Sequence, residues 1–92
     1  MGQKERVLKY IETYGSISPL EAFRDLGITK LATVISNLRY QDNAIIYQTL
    51  CYSHNRFGEK VHFMRYWLDK HLFEEYMKNY NMFYEEMKWW QN

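Results

Sequence analysis

The chain has 92 residues, 47% of them hydrophobic and 25% charged, with a formal net charge of +1 and one cysteine, Cys51. This length suits a single small domain, and the apolar content with only one proline excludes a disordered chain. A lone cysteine excludes an internal disulfide, and no apolar run is long enough for a transmembrane helix or a signal-peptide core. We therefore expect a cytoplasmic protein with no membrane partner.

The charge is unevenly distributed along the chain. Residues 1–66 carry nine Lys and Arg against six Asp and Glu, whereas residues 67–92 carry three against five. The first part is therefore mildly basic and the second mildly acidic. Because phosphate neutralisation supplies most of the non-specific affinity for nucleic acids, we expect any such affinity to be modest.

Helical spacing of apolar residues predicts a first helix over residues 3–14. The residues that recur at this spacing, and the glycine that follows them, are Val7, Leu8, Ile11, Tyr14 and Gly15. We expect the four apolar side chains to face the core.

A helix-start signal follows directly. Ser18 and Glu21 form a capping-box pattern around Pro19, which suits the first position of a helix. A glycine permits the left-handed backbone that ends a helix, so the pattern predicts a helix over residues 18–26 that ends at Gly27.

A second cap residue, Thr29, predicts a helix over residues 29–41 only two positions after that glycine. Two helices joined so tightly cross steeply, as in a helix-turn-helix, although an ordinary helical hairpin has the same signals. The side chains expected to face inward are Leu20, Ala22, Phe23, Ile28, Leu31, Ala32, Ile35 and Leu38. The outward face of the second helix carries the hydrogen-bonding side chains Lys30, Thr33, Asn37, Tyr40 and Gln41.

A β-hairpin is predicted over residues 44–66. Residues 44–52 are rich in β-formers, residues 53–59 hold turn residues, and a returning strand begins at Val61. Three helices followed by a hairpin is the order of a winged helix, in which the hairpin is the wing. The predicted fold is mainly α with a β-hairpin, a winged helix-turn-helix domain over residues 1–66.

Residues 67–92 contain no glycine or proline and predict one long C-terminal helix as a second unit. Such a helix spans about 39 Å at 1.5 Å per residue, which is more than one small domain covers. Its aromatic surface predicts burial against a second copy, giving a homodimer, or against a host protein. The alternative is that it folds back over its own domain. The residues expected in the interface are Leu72, Tyr76, Tyr80, Phe83, Met87 and Trp90.

Four stretches of the chain resemble one group of proteins: residues 15–22, which include Ser-Ile-Ser-Pro-Leu-Glu-Ala, residues 26–28, residues 35–39, and residues 55–61, which include Arg-Phe-Gly-Glu-Lys. They resemble small winged helix-turn-helix proteins of phages and prophages of low-GC Gram-positive bacteria. The resemblance implies a winged-helix fold and DNA binding, and therefore the cytoplasm of a bacterial host.

These features favour a dimeric, sequence-specific DNA-binding protein of phage type, a transcriptional regulator whose partner is double-stranded DNA. Four outward side chains of the second helix of the pair are expected to meet base edges: Lys30, Thr33, Asn37 and Tyr40. Contacts with phosphates or with the minor groove are expected from Arg39, Gln41, Asn55, Arg56 and Lys60.

The alternative function is a phage-encoded inhibitor of a host defence nuclease, as anti-CRISPR proteins are, which binds through the winged helix and the acidic aromatic tail. An enzyme is not expected, because no Ser-His-Asp set, glycine-rich phosphate loop or pair of catalytic carboxylates can be argued. The spacing of Cys51, His54, His62 and His71 is unlike that of four zinc ligands, so neither a metal nor a cofactor is expected.

Overall fold

The computed structural model describes residues 2–79, in which three helices precede a β-hairpin. The elements are α1 (Gln3–Tyr14), β1 (Ser16–Ile17), α2 (Pro19–Leu26), α3 (Leu31–Gln41), β2 (Tyr47–His54), β3 (Lys60–Trp67) and a helix at residues 70–79, called α4 below. The strands form one antiparallel sheet in the order β1-β3-β2. The prediction of a mainly α fold with a hairpin in winged-helix order is confirmed.

Two parts of the sheet and tail differ from the prediction. Strand β1 was not predicted, because two residues are too few to produce a period-two pattern. Trp67, which the sequence placed in the C-terminal helix, is the last residue of β3 and lies opposite Tyr47. Of the predicted helix over residues 67–92, the structure describes residues 70–79 as helical, and residues 80–92 lie outside the described part of the chain.

Helix α2 begins and ends as predicted. The Ser18 hydroxyl oxygen accepts a hydrogen bond from the Glu21 N–H, and the Glu21 carboxylate accepts one from the Ser18 N–H at 2.9 Å. This capping box satisfies amides that lack partners within the helix. Gly27 then adopts the left-handed conformation, with φ of +69°, and the Ile28 N–H donates to the Ala22 carbonyl at 3.1 Å.

Helix α3 begins later than predicted. Lys30 rather than Thr29 is its N-cap residue, and no side chain accepts a hydrogen bond there. Burial of Ile28, which is 2% exposed, fixes the direction in which the chain leaves α2 and delays the helix start. At the other end Asn43 has a φ of +54°, and the Ala44 N–H donates to the Leu38 carbonyl at 3.0 Å, so the left-handed residue turns the chain back on the last turn of the helix.

The inward face of α3 was predicted correctly at Leu31, Ile35 and Leu38, all of which are buried. Val34 is buried beside them, whereas Ala32 is exposed, contrary to the prediction. This face forms one core cluster with α1, β1 and the hairpin.

The inward face of α2 was predicted correctly at Ala22 and wrongly at Leu20 and Phe23. Leu20 and Phe23 are 69% and 60% exposed, whereas Ala22 is fully buried and Leu26 packs against the core. Ala22 lies in the core cluster, and Leu20 and Phe23 lie on the other side of the helix, away from it. Residue size therefore misled the assignment of this face.

The inward face of α1 was predicted correctly in part. Val7 and Ile11 are buried and Leu8 packs against the core. Tyr14, predicted to face inward, is 71% exposed, and Tyr10 is buried in its place. The two rings remain in contact, with centroids 4.6 Å apart.

The hairpin has two faces that differ in what covers them. Residues opposite one another in an antiparallel pair, and residues two apart along a strand, share a face. The α3-side face, which contacts the helical core, consists of Gln48, Leu50, Tyr52, His54, Lys60, His62, Met64 and Tyr66. The α4-side face consists of Tyr47, Thr49, Cys51, Ser53, Val61, Phe63, Arg65 and Trp67.

Helix α4 packs on the base of the α4-side face. Asp69 caps its start, because the Asp69 carboxylate accepts hydrogen bonds from two backbone amides at 2.8 and 3.2 Å. The Phe73 ring lies 5.4 Å from that of Tyr47 and 5.3 Å from that of Trp67, and the Tyr76 ring lies 4.8 Å from that of Trp67. The described part of the predicted tail helix therefore folds back on its own domain.

Candidate nucleic-acid interface

The outward face of α3 is polar and accessible. Because one side of the helix is fixed in the core, the opposite side carries the side chains predicted to read DNA. Lys30, Thr33 and Gln41 are exposed, Tyr40 is 83% exposed, and Asn37 is half-buried. The amide oxygen of Gln41 accepts a hydrogen bond from Lys4 of α1 at 2.8 Å, so its orientation is already set.

The Arg39 side chain does not lie on the outward face of α3 but forms hydrogen bonds with the hairpin. Its guanidinium donates to the Ile46 carbonyl and to the Gln48 side-chain oxygen, both at 2.6 Å. Charged hydrogen bonds of this length fix the position of the first strand relative to the helix. Sequence reasoning assigned Arg39 to phosphate contact and did not foresee this structural role, since nothing in the sequence places residues 46 and 48 beside it.

The wing projects beyond the domain as a ribbon. Residues 52–62 are all exposed, although residues on both sides of this segment are buried or half-buried. The last three pairs of opposite residues in the hairpin, and the turn that joins the strands, therefore extend past the core. This projection stands on the same domain as the outward face of α3.

The tip of the wing is a turn held by several hydrogen bonds from Asn55 and to it. The Asn55 side-chain oxygen accepts hydrogen bonds from the Phe57 N–H at 2.9 Å and the Glu59 N–H at 3.0 Å. Gly58 adopts a φ of +78°, a conformation that favours glycine, and its N–H donates to the Asn55 carbonyl. Asn55, predicted to contact DNA, therefore shapes the turn that presents Arg56 and Phe57 to solvent.

The sides of the wing carry further charged and aromatic groups. The Lys60 ammonium lies 4.6 Å from the centroid of the Tyr52 ring, and the Tyr52 ring lies 6.4 Å from that of His62. Sequence reasoning named Lys60 but missed the other residues on this face. Their period-two spacing at positions 52, 54, 60 and 62 is the signal that would have revealed them.

Two of the six residues predicted to form an interface with a second copy or with a host protein lie in the described part of the chain. Leu72 is 42% exposed, with its side chain near Gly15. The Tyr76 hydroxyl lies 3.0 Å from the Cys51 sulfur, within its own domain. Their role in an interface stays a prediction. The other four, Tyr80, Phe83, Met87 and Trp90, lie outside the described residues.

A short hydrogen bond between Tyr10 and Asp25 joins α1 to α2. The Tyr10 hydroxyl donates to the Asp25 carboxylate at 2.7 Å, and Arg24 donates to the same carboxylate at 2.8 Å. Burial, and then this hydrogen bond, raises the pKa of Tyr10 to about 12. The hydrogen bonds from Arg24 and Tyr10 lower the pKa of the Asp25 carboxyl to about 2. The hydrogen bond between Tyr10 and Asp25 therefore contributes to both pKa shifts, beside burial for Tyr10 and the neighbouring Arg24 for Asp25.

Within residues 2–79, the structure contains no group of three or more His, Cys, Asp and Glu side chains that could hold a metal ion. Cys51 is buried on the α4-side face of the hairpin, whereas His54 and His62 are exposed on the α3-side face. In the same part of the chain, no helix has the length and apolar character that crossing a membrane requires.

A family model described as a winged helix-turn-helix domain matches residues 2–54, which run from the start of α1 to the end of β2. The chain belongs to this family. Searches of curated proteins and of solved structures each gave no match. Membership indicates DNA binding, because the second helix of a helix-turn-helix enters the major groove. It gives no support to the alternative of a nuclease inhibitor.

Proposed function

We propose that this protein is a dimeric, sequence-specific regulator of transcription that binds double-stranded DNA. We place it in the cytoplasm of a bacterial host, as a protein of phage or prophage type, and assign it a binding rather than an enzymatic role. The observation that carries the proposal is the accessible polar face of α3 beside a projecting wing, in a chain of the winged helix-turn-helix family.

Helix α3 is the recognition helix in this proposal. Lys30 and Thr33 stand at its start, where helix-turn-helix proteins contact bases, and Asn37 follows one turn later. An amide side chain reads adenine through two hydrogen bonds, so Asn37 is assigned to base recognition. Tyr40, one turn further on, offers a hydroxyl and a ring to the groove wall.

Phosphate contacts are assigned to three residues that are not expected to read bases. Arg56 and Lys60 are exposed on the wing, and Gln41 lies at the end of α3. Such contacts hold the protein in register on the duplex and make the affinity depend on salt. Because the net charge is only +1, two subunits are needed for substantial affinity.

The second subunit is proposed to bind through the C-terminal segment. Residues 80–92 include seven aromatic or methionine side chains, which are enriched in protein interfaces. Leu72 offers a partly exposed apolar side chain on the described part of the same segment. A symmetric dimer would place two recognition helices about one DNA turn apart, roughly 34 Å.

The test of DNA reading compares selected and random duplexes. The target site is first selected from random DNA with the intact protein, and Asn37→Ala is then measured on the selected and the random sequence. We expect discrimination to fall by about 1–3 kcal/mol while random binding is unchanged. Thr13→Ala, on an exposed position of α1, is the control. Equal losses on both duplexes would remove Asn37 from base recognition, and no binding of any duplex would overturn the function.

The test of the dimer uses light scattering on the full chain and on a chain that ends at residue 79. This truncation removes the proposed interface but keeps the α4 residues that pack on Tyr47 and Trp67. We expect a dimer for the first and a folded monomer for the second. The monomer should bind DNA more weakly, because two linked sites bind with higher avidity. A full-length monomer at micromolar concentration would contradict the dimer.

A further inference from the structure

Two of the three histidines of the chain lie together on the wing. His54 lies opposite Lys60 in the strand register, and His62 lies opposite Tyr52. These four residues occupy the α3-side face of the hairpin, since opposite residues and residues two apart share a face. All four are exposed. The third histidine, His71, lies on α4, on the other side of the sheet.

The face that carries the two histidines is continuous with the contact between hairpin and recognition helix. At its base the same face holds Gln48, whose side chain accepts the hydrogen bond from Arg39 of α3. The opposite face is covered at its base by α4. A duplex that lies along α3 therefore meets the histidine-bearing side of the projecting wing.

We propose that His54 and His62 contact DNA phosphates in their protonated form, so that DNA binding is coupled to proton uptake. The inference rests on the proposed function and adds to it two contact residues and a dependence on pH. Histidine is the side chain that changes charge between pH 5 and 8, and a neighbouring phosphate favours its cationic form.

The charged surroundings of the two histidines fit a phosphate site. Lys60 faces His54 across the pair and places its ammonium over the Tyr52 ring, which in turn contacts His62. In the turn, Arg56 adds a positive charge and Glu59 a negative one. When both histidines are protonated, the net charge of residues 52–62 rises from +1 to +3. A polyanion such as DNA therefore gains two further contacts at low pH.

The experiment measures affinity for a labelled random duplex by fluorescence anisotropy, at about pH 6 and about pH 8 and at one fixed ionic strength. We expect the intact protein to bind about tenfold more tightly at the lower pH, which is well below the upper limit of about tenfold per proton and per pH unit that linkage sets. The variants are His54→Gln, His62→Gln and the double change. Each single change should reduce the pH dependence, and the double change should abolish it.

His71→Gln is the matched control, because it removes a histidine from the face of the protein that the duplex does not meet. It should keep the full pH dependence, and all variants should keep the circular dichroism spectrum and melting temperature of the parent. DNA binding that is equal at both pH values in the intact protein would overturn this inference and leave the proposed function intact. A pH dependence that survives in the double variant would also overturn it. Absence of DNA binding at both pH values would overturn the proposed function and this inference together.

Discussion

The two ends of the hairpin differ in their surroundings although the same two strands form both. At the base, Tyr66, Trp67 and Cys51 are at most 5% exposed and lie between the helical core and α4. At the other end, residues 52–62 are all exposed. The same pair of strands thus packs against the core at one end and projects into solvent at the other. Changes at the base should alter stability, and changes in the wing should alter DNA binding.

The largest expected effect is at the base. Trp67→Ala removes a ring that contacts both Phe73 and Tyr76, and should lower the free energy of unfolding by about 3–5 kcal/mol. Phe57→Ala at the exposed tip is the control and should leave it unchanged. Thermal or urea unfolding measures both. Similar losses for the two variants would mean that the wing is also part of the stable core.

The connection between recognition helix and hairpin comes next. Arg39→Gln removes the charged hydrogen bonds to Ile46 and Gln48, which set the position of the wing relative to α3. We expect DNA affinity to fall about tenfold, equivalent to about 1.4 kcal/mol, with no change in its salt dependence. A salt dependence that falls by the amount of one phosphate contact would instead assign Arg39 to phosphate binding.

A smaller effect is expected between α1 and α2. Tyr10→Phe removes the hydrogen bond to Asp25 and should lower stability by about 1 kcal/mol at neutral pH, with DNA affinity unchanged. Since the folded pKa of Asp25 is depressed from 3.8 to about 2, its contribution is present above pH 4 and is lost as the pH falls towards 2. The raised pKa of Tyr10 adds a contribution that is lost as the pH rises from 10 to about 12.

Unfolding curves of the parent and of Tyr10→Phe at several pH values measure the stability that the Tyr10–Asp25 hydrogen bond contributes. NMR titration of the Asp25 carboxyl measures the pKa shift that accompanies it. In Tyr10→Phe the pKa of Asp25 should rise towards its ordinary value, because one of its two hydrogen-bond donors is gone. The difference in unfolding free energy between the two proteins should shrink as the pH falls towards 2. A difference that stays constant down to that pH would show that the hydrogen bond to the Asp25 carboxylate does not contribute to stability.

The smallest expected effect is at the wing tip. Arg56→Ala should weaken binding a few-fold on every sequence and reduce the slope of log affinity against log salt by about one, while stability is unchanged. Gel shifts at several salt concentrations measure the slope. Lys9→Ala, an exposed cation on α1, is the matched control for a change in net charge. Equal slopes in the Arg56 variant and the parent would exclude a phosphate contact there.

Local signals in the sequence were sufficient for most element boundaries. The capping box of Ser18 and Glu21, and the glycines at positions 15 and 27, act within one helical turn, so they hold in any tertiary context. The alternation of β-formers likewise identified the hairpin. The outward face of α3 followed from the spacing of Leu31, Ile35 and Leu38, which are large enough to determine which side is buried.

Features that depend on distant parts of the chain could not be derived in this way. The hydrogen bonds from Arg65 to Ser16 of β1 and to Glu21 in the first turn of α2, both at 2.9 Å, join β3 to these elements across more than forty positions. The common face of His54 and His62 likewise depends on the strand register, which the turn geometry sets.

The sequence by itself determined the order of the elements, the winged helix-turn-helix arrangement and the polar face of α3, because caps, turn glycines and periodic apolar residues act locally. Only the tertiary structure decided that Leu20 and Phe23 lie outside the core while Ala22 lies in it, that Arg39 holds the hairpin, and that α4 packs on Tyr47 and Trp67. The physical reason is that burial depends on which surfaces approach one another. A small residue that permits close approach can be buried where larger neighbours are left exposed.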